Sequence, residues 1–348
     1  MPSYALFNRL NYFSHLIAEF NKAGPGDTIV LTTMEFRPDQ PAINNIADAL
    51  CKAAQNGAKV TFLVDAYSFM LKPGTVLGPL FFSKKDPRLG YGEFKPVVEA
   101  VHRLRANNVN CVVINKPQRP LKNPFGGRSH IKFAVINEEV FIGGCNLSHP
   151  EQLDVMVRTH NAKLASYMLE FTADVIYSKS VRRALCNRDV GFKIDDETEL
   201  LIDAGVKRQS LIYKRAFELI NSAASRVYMT CQYFPNIRTP AELAKAHDRG
   251  VAVHLAYNHP DQHRLPIRGI QKRTLAYKKK RLPSSVFKNQ LNMDSDYLHA
   301  KILLSEKEVI VGSHNFVKMG VNLGTAEIAL RSTSKDFIRT ARNWITAL

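Results

Sequence analysis

The stretch SHIKFAVINEEVFIGGCN, residues 129–146, contains the pattern that determines the fold of this chain. A second copy of the pattern, LHAKILLSEKEVIVGSHN, occupies residues 298–315. In each copy a lysine follows the histidine by two residues, a small residue follows it by thirteen and an asparagine by sixteen. The two histidines lie 169 residues apart in a chain of 348, so the sequence predicts two versions of one module.

The short apolar run that follows each lysine is typical of a buried β-strand. Side chains two apart on an extended segment share a face, so His130 and Lys132 should point the same way. Residues 137–142 predict a turn and an antiparallel strand that returns beside the histidine. Each module should therefore present an imidazole, an ammonium and a carboxamide around a small pocket that suits an anionic phosphoryl group. The predicted catalytic residues of this kind are His130, Lys132, Asn146, His299, Lys301 and Asn315, and the small residues that should leave room for substrate are Gly143, Gly144, Gly312 and Ser313.

Ahead of each copy the chain alternates between helical and strand patterns. The first half predicts helix 4–23, strand 28–31, helix 42–55 and strand 60–65, and the second half predicts helix 211–224, strand 226–230, helix 241–248 and strand 251–255. The order strand, helix, strand indicates parallel strands joined by a crossover helix. Residues 186–206 are polar and lack periodicity, which predicts a boundary. We therefore expect an α/β protein of two pseudo-symmetric α-β-α modules, residues 1–190 and 191–348, each with a mixed, mostly parallel central sheet and with the active site at their interface.

The charge of the chain predicts an anionic partner. The net charge is +17 and the pI is about 9.7, values that fit either nucleic acid or an acidic membrane surface. The five cysteines are scattered without a Cys-x-x-Cys pair, which favours reduced thiols in a cytoplasmic protein. The first residues do not resemble a signal peptide, and no apolar run reaches the roughly 18 residues of a spanning helix. Any membrane contact is therefore expected to be peripheral, at the inner face.

Two insertions interrupt the symmetry of the halves. Residues 69–82 are apolar and aromatic with lysines beyond them, which fits either a loop over its own core or a lip that dips into a membrane. Residues 262–290 contain nine lysines or arginines and no acidic residue. They precede the second histidine as the acid-free stretch 116–132 precedes the first. This placement predicts a rim that collects anions at the cleft mouth, with a plain solvated face as the alternative.

The paired motifs resemble the signature of the phospholipase D superfamily, His-x-Lys-x4-Asp followed by a small pair and an asparagine. The resemblance covers nearly the whole chain, and residues 36–38, 47–50 and 153–158 look most like bacterial cardiolipin synthases. The aspartate of the signature is replaced by Asn137 in the first copy and by Glu306 in the second. In the family this position looks structural, at the hairpin turn, so the departures bear on local stability more than on chemistry.

The resemblance implies an enzyme that transfers a phosphatidyl group from an anionic glycerophospholipid to an alcohol or to water through a covalent phosphohistidine. A neutral imidazole can attack a phosphodiester without charge repulsion, and a second histidine can protonate the leaving alkoxide. By resemblance His130 is the nucleophile and His299 the acid and base, although the residues alone do not fix this order. A carboxylate should orient each imidazole, and Asp154 and Glu327 are the candidates. The lysines and asparagines would hold the equatorial oxygens, so neither a metal nor another cofactor is expected.

Two other function classes fit parts of the sequence. The first is a metal-independent phosphodiesterase acting on nucleic acid with the same histidines, in which Tyr277 and Phe287 would stack on bases. The second is a degenerate, non-enzymatic scaffold that binds anions. This interpretation does not explain why both copies keep the same histidine, lysine and asparagine. Because both motifs lie in one chain, a monomer is expected to suffice for a complete site. The identity of the acceptor stays open.

Overall fold

The computed structural model describes residues 4–69, 95–116, 127–234, 238–263, 267–279, 283 and 297–348. These residues form two seven-stranded sheets with helices packed against them. The strands are β1 (Ala5–Asn8), β2 (Thr28–Thr33), β3 (Lys59–Asp65), β4 (Asn110–Ile114), β5 (Phe133–Ile136), β6 (Glu139–Gly143), β7 (Val155–His160), β8 (Val190–Lys193), β9 (Thr198–Ala204), β10 (Arg226–Cys231), β11 (Ala252–Tyr257), β12 (Ile302–Ser305), β13 (Val309–Gly312) and β14 (Ala326–Ser332). The helices are α1 (Arg9–Lys22), α2 (Pro41–Gln55), α3 (Lys95–Ala106), α4 (Ala162–Ser178), α5 (Val181–Ala184), α6 (Leu211–Ser222), α7 (Arg238–Asp248), α8 (Ile267–Lys279), α9 (Lys318–Leu323) and α10 (Lys335–Thr346), with short 3-10 turns at Ala66–Phe69 and Pro260–Gln262.

The two sheets share one arrangement, and the predicted two-module α/β fold is confirmed. Their strand orders are β1-β7-β6-β5-β2-β3-β4 and β11-β10-β12-β13-β14-β9-β8. The pairs β2–β3, β3–β4 and β10–β11 are parallel, as the strand–helix–strand order predicts. The other pairs are antiparallel, so the expectation of mostly parallel sheets is wrong. The reason is that the hairpin after each histidine pairs antiparallel with its sheet, and the strands beyond it, β7 and β1 in the first sheet and β14, β9 and β8 in the second, are antiparallel as well.

Two segments that were expected to be helical or irregular form strands. The start of the predicted helix 4–23 is β1, which pairs with β7, and Asn8 then begins α1 by accepting a hydrogen bond from the backbone N–H of Asn11 (2.8 Å). The predicted boundary stretch contains β8 and β9, which pair antiparallel in the second sheet. Leu200, Leu201 and Ile202 of β9 are all fully buried. A strand buried on both faces shows no alternation, which explains why its pattern was missed.

Of the three apolar cores that the described residues form, one is common to both modules. It joins Val135 and Ile142 of the first sheet to Leu304 and Val311 of the second, and α4 and α10 close it. The other two cores lie on the outer faces, one under α1, α2 and α3 and one under α6 and α7. Because the inner faces of the two sheets share a core, the ends of β5 and β12 that follow the histidines are brought to one interface.

The position of the superfamily aspartate has a structural role in both copies. Asn137 has a left-handed backbone (φ 55°), and its side chain accepts from the N–H of Thr28 (3.0 Å) and donates to Asp27 (2.8 Å). The Glu306 carboxylate accepts hydrogen bonds from the backbone N–H groups of residues 224–226, at 2.8 to 3.3 Å. Each side chain therefore ties its hairpin turn to the start of the neighbouring strand, β2 in the first sheet and β10 in the second.

We expect Glu306→Gln to change how stability depends on pH. Burial by itself would raise the pKa of Glu306, but the backbone hydrogen bonds outweigh it and lower the pKa from 4.5 to about 2. Since the folded pKa lies below the unfolded one, the carboxylate stabilises the fold above pH 4.5, and this contribution is lost as the pH falls towards 2. Glu306→Gln should lower the free energy of unfolding at pH 7 by on the order of 1 kcal/mol. It should also reduce the slope of that free energy against pH in the acid range, and urea titrations at several pH values measure both. The exposed Glu170→Gln serves as the control, and an unchanged slope in Glu306→Gln would contradict the prediction.

Candidate active site

The first histidine is held by residues of the second module. His130 lies in the extended segment just before β5, and its backbone N–H donates to the carbonyl of Ala326 (2.8 Å). Its ring nitrogen Nδ1 lies 2.8 Å from Oε2 of Glu327, which is 5 % exposed. The Nδ1 hydrogen therefore points to a carboxylate of β14, and Nε2 is the ring nitrogen left as the candidate reacting atom.

The second histidine is held in the same way by the first module. The backbone N–H of His299 donates to the carbonyl of Leu153 (2.7 Å), and its Nδ1 lies 2.5 Å from Oδ2 of Asp154. The structure thus places both predicted carboxylates against a histidine, but the pairing is crossed. Asp154 follows the first motif and orients the second histidine, while Glu327 follows the second motif and orients the first.

Both motif lysines are buried beside their histidines. Lys132 and Lys301 have no exposed surface, and each ammonium donates to the backbone carbonyl of its own motif histidine. Burial lowers the pKa of both side chains, to about 8 for Lys301, and the charge of Lys301 lowers the pKa of Lys132 further. An anion bound between them would favour the charged form of both, since opposite charges stabilise each other's ionised states.

The two predicted asparagines also lie at this interface. Asn146 is 6 % exposed, and its carbonyl oxygen Oδ1 accepts from the backbone N–H of Glu35 (3.3 Å). This contact leaves the amide nitrogen of Asn146 as the group available to a ligand oxygen. Oδ1 of Asn315 is buried and has no hydrogen-bond partner among the residues that the structure describes.

Two of the predicted small residues are required by strand packing. A Cβ atom on Gly143 would lie 2.2 Å from the carbonyl oxygen of Val155 on the neighbouring strand. A Cβ atom on Gly312 would lie 2.2 Å from the carbonyl oxygen of Ile328. Both distances are far inside van der Waals contact, so the adjacent backbone alone excludes a side chain. Contact of these glycines with substrate stays a prediction, because the structure accounts for their size without a ligand.

The other two small residues accommodate the carboxylates. A Cβ atom on Gly144 would lie 2.3 Å from Oδ1 of Asp154. Ser313, at the matching position, donates its hydroxyl to Oε2 of Glu327 (2.5 Å). Gly144 and Ser313 are therefore small because the carboxylate that contacts a histidine occupies the adjacent space, and their contact with substrate also stays a prediction.

Comparison with known proteins finds one matching family model and similar folds among solved structures. The family model described as cardiolipin synthase, PLD-like domain, matches residues 216–348. The phosphatidylserine synthase of Haemophilus influenzae is similar in structure, with a TM-score of 0.71, 12 % identity, and coverage of 98 % of this chain and 85 % of that one. The predicted resemblance to the phospholipase D superfamily is confirmed. The polyphosphate kinase of Porphyromonas gingivalis aligns with 99 % of this chain but 49 % of its own length, at a TM-score of 0.57 and 14 % identity. No curated protein sequence matches the chain.

Arg9 is a buried site residue that sequence reasoning missed. At the first position of α1 it is only 2 % exposed, and its guanidinium donates to the carbonyls of Asn146 (2.9 Å) and Ser148 (2.6 Å) and to Oδ2 of Asp154 (2.9 Å). Burial would raise the pKa of the Asp154 carboxyl, but His299, Lys301 and Arg9 together hold it below its usual range. The available sequence signal was weak: a cation in the first turn of a helix opposes the helix dipole and so requires another partner.

The Glu327 carboxylate, which contacts His130, has a different environment from that of Asp154. Burial raises the pKa of Glu327 to about 7, although His314, Lys132 and Ser313 partly oppose the rise. Burial and the charge of Lys132 lower the pKa of His130, which is therefore neutral at pH 7. His314, in the second motif, is buried and accepts a hydrogen bond from the backbone N–H of Phe316 (2.9 Å).

The predicted lip and much of the predicted rim lie outside the described residues. Of the lip at 69–82, the structure describes only Phe69, which packs against the first module's outer core. Of the acid-free stretch 116–132, residues 117–126 are outside the described ranges. The described part of insertion 262–290 consists mainly of helix α8. None of the described helices has the length and apolarity that a membrane crossing requires.

We expect Arg9 and Asp154 to contribute to stability as one unit. Arg9→Gln should lower the free energy of unfolding by about 3 kcal/mol, because it removes the guanidinium from a buried carboxylate. Asp154→Asn removes that charge, so the double variant should be destabilised by clearly less than the sum of the two single losses. Urea titrations of the four proteins at pH 7 measure this coupling. Additive losses would show that the ion pair has no stabilising role.

Proposed function

We propose that this protein is a phosphatidyltransferase or phospholipase of cardiolipin-synthase type that acts on anionic glycerophospholipid. The main supporting observation is the pair of imidazoles, each held at Nδ1 by a carboxylate of the other module. Two buried lysines beside them fit a phosphoryl anion. The description of the matching family and the name of the similar synthase support a lipid substrate. In this proposal the protein works at the cytoplasmic face of a membrane, and one chain suffices because both pairs form within it.

In the first half-reaction, Nε2 of His130 attacks the phosphorus of the lipid and the bond from phosphorus to the headgroup oxygen breaks. Glu327 accepts the Nδ1 hydrogen and so favours the tautomer with a lone pair on Nε2. His299 gives its Nε2 proton to the departing alkoxide. Burial and Lys301 lower the pKa of this ring, so in this proposal Asp154 and the bound phosphodiester anion together favour the imidazolium before that transfer. The lysines and the amide of Asn146 hold the equatorial oxygens as their charge increases.

In the second half-reaction, an alcohol or water takes the place of the headgroup. His299, now neutral, removes its proton as the acceptor oxygen attacks the phosphohistidine. The bond between phosphorus and Nε2 of His130 breaks, the phosphatidyl product leaves and both histidines return to their starting states. Because the same base serves either acceptor, the accessibility of the site to water decides between transfer and hydrolysis.

We expect His130→Ala and His299→Ala each to lower turnover of phosphatidylglycerol at least about 10³-fold, since each variant removes a reacting group. Lipid products are measured by mass spectrometry in EDTA, with the exposed His102→Ala as the matched control and thermal unfolding as the check on folding. Single-stranded DNA is tested in parallel. Substantial lipid turnover by either variant would contradict the mechanism, and cleavage of DNA with lipid untouched would favour the nucleic-acid phosphodiesterase.

An activated substrate separates the two roles in the same experiment. A phosphatidyl ester of p-nitrophenol has a leaving group that needs no proton, so His299→Ala should still release nitrophenolate once and retain a phosphatidyl group on His130. His130→Ala should release none. The reverse pattern would exchange the nucleophile and the acid.

We expect turnover to fall as the pH decreases through about 7. Glu327, with its pKa raised by burial to about 7, is ionised above this pH and protonated below it, where it no longer accepts the Nδ1 hydrogen of His130 as a carboxylate. Glu327→Gln should be slower and should lack this acid limb in a profile of kcat/KM from pH 5 to 9. Asp203, its neighbour on β9, has a pKa raised by burial to about 8, so Asp203→Asn is the control that should keep the limb. An acid limb retained in Glu327→Gln would assign it to another group.

A further inference from the structure

Helix α8 has apolar side chains on its outer face. Ile270 is 51 % exposed and Tyr277 is 50 % exposed. Seven residues apart on a helix, they lie on the same side, and the exposed Arg273 lies between them along that side. An aliphatic and an aromatic side chain are thus exposed together on the same face as a cation.

The opposite face of α8 is fixed to the second module. Leu275 is buried in the outer core of that module. The side-chain carbonyl of Gln271 is also buried and accepts from the backbone N–H of Phe234 (2.8 Å). Lys272 forms an ion pair with Asp261 in the preceding 3-10 turn. With one face held in this way, the orientation of the outer face is set by the fold.

The position of α8 relates this face to the active site. β10 pairs with β12 so that Thr230, near the carboxyl end of β10, lies opposite Ile302. Ile302 directly follows Lys301, so this end of β10 lies at the catalytic edge of the sheet. The chain leaves β10 at Cys231 and reaches Phe234, which binds α8, three residues later. The helix is therefore attached at the edge of the sheet where the histidines lie.

The charge of α8 indicates what its outer face meets. The helix contains five cations and no acidic residue, namely Arg268, Lys272, Arg273, Lys278 and Lys279. Cations that surround exposed apolar and tyrosine side chains on one helix are typical of helices that lie in the headgroup region of an anionic membrane. Nucleic acid would use the cations and Tyr277, but it offers no apolar environment for Ile270.

We propose that α8 is a membrane-contact helix, which rests on an anionic lipid surface with Ile270 and Tyr277 inserted between headgroups. This inference rests on the proposed function, because it gives the means by which the site reaches lipid in a bilayer. It also places contact with the membrane in the second module, apart from residues 69–82.

The test is flotation of the full chain with vesicles of equimolar phosphatidylglycerol and phosphatidylcholine, and with vesicles of phosphatidylcholine alone. Wild type should float with the anionic vesicles only. The variant Ile270→Ser/Tyr277→Ser, which keeps every charge, should partition about tenfold less. Arg273→Gln should weaken binding about fivefold and make it less dependent on salt. The matched control is Leu10→Ser/Tyr177→Ser, which removes an exposed aliphatic and tyrosine pair elsewhere and should bind as wild type does.

Turnover of a short-chain, water-soluble phosphatidylglycerol is measured on the same proteins. Loss of flotation by Ile270→Ser/Tyr277→Ser, with soluble turnover unchanged, supports the inference and the proposed function together. Loss of flotation with no turnover by any protein supports the contact helix and contradicts the proposed function. Unchanged flotation overturns the contact helix, and unchanged flotation with loss of binding to single-stranded DNA assigns the face to nucleic acid instead.

Discussion

Each motif histidine is oriented by a carboxylate that belongs to the other module. A buried carboxylate without a partner is costly, and so is a buried polar ring. Asp154 and Glu327 are 1 % and 5 % exposed. Each has one partner in its own module, Arg9 or Ser313, but meets its histidine only when the two modules are in register. The contacts that prepare the imidazoles for reaction therefore also hold the interface together. Displacement of one module would remove the orientation of both rings at once.

The two halves of the site differ in electrostatics although their backbones are nearly equivalent. Asp154 is held by a guanidinium and stays ionised, whereas Glu327 is held by a hydroxyl and has a pKa of about 7. An ionised carboxylate stabilises an imidazolium, which a general acid must be at the start of the reaction. Glu327, only partly ionised at pH 7, stabilises an imidazolium less, while its ionised form still accepts the Nδ1 hydrogen of a neutral His130. Burial and the charge of Lys301 lower the pKa of His299 as well, so the difference lies in the carboxylates alone, and His130 as the nucleophile with His299 as the acid stays the proposed order.

The sequence predicts the elements next to each motif well because their patterns are local. Apolar runs of strand length follow Lys132 and Lys301. In the helices before the motifs, apolar residues recur every three to four positions. Contacts between distant residues were missed. The crossed pairing of Asp154 and Glu327, the insertion of Arg9 and the antiparallel register of β9 depend on which segments meet after folding. No spacing within one segment encodes these contacts, and a single sequence gives no other signal for them.

The exposure of the site groups suggests how a phosphodiester enters. The side chains of His130 and His299 are 12 % and 6 % exposed, while both lysines have no exposed surface. A phosphoryl group that approaches from solvent therefore meets the imidazoles first, with the lysine charges beyond it. The phosphorus of a bilayer lipid lies at headgroup depth, so such a site can reach it only if the edge with the histidines faces the membrane. A helix attached at that edge, with cations and exposed apolar side chains, would impose this orientation before any lipid enters the site.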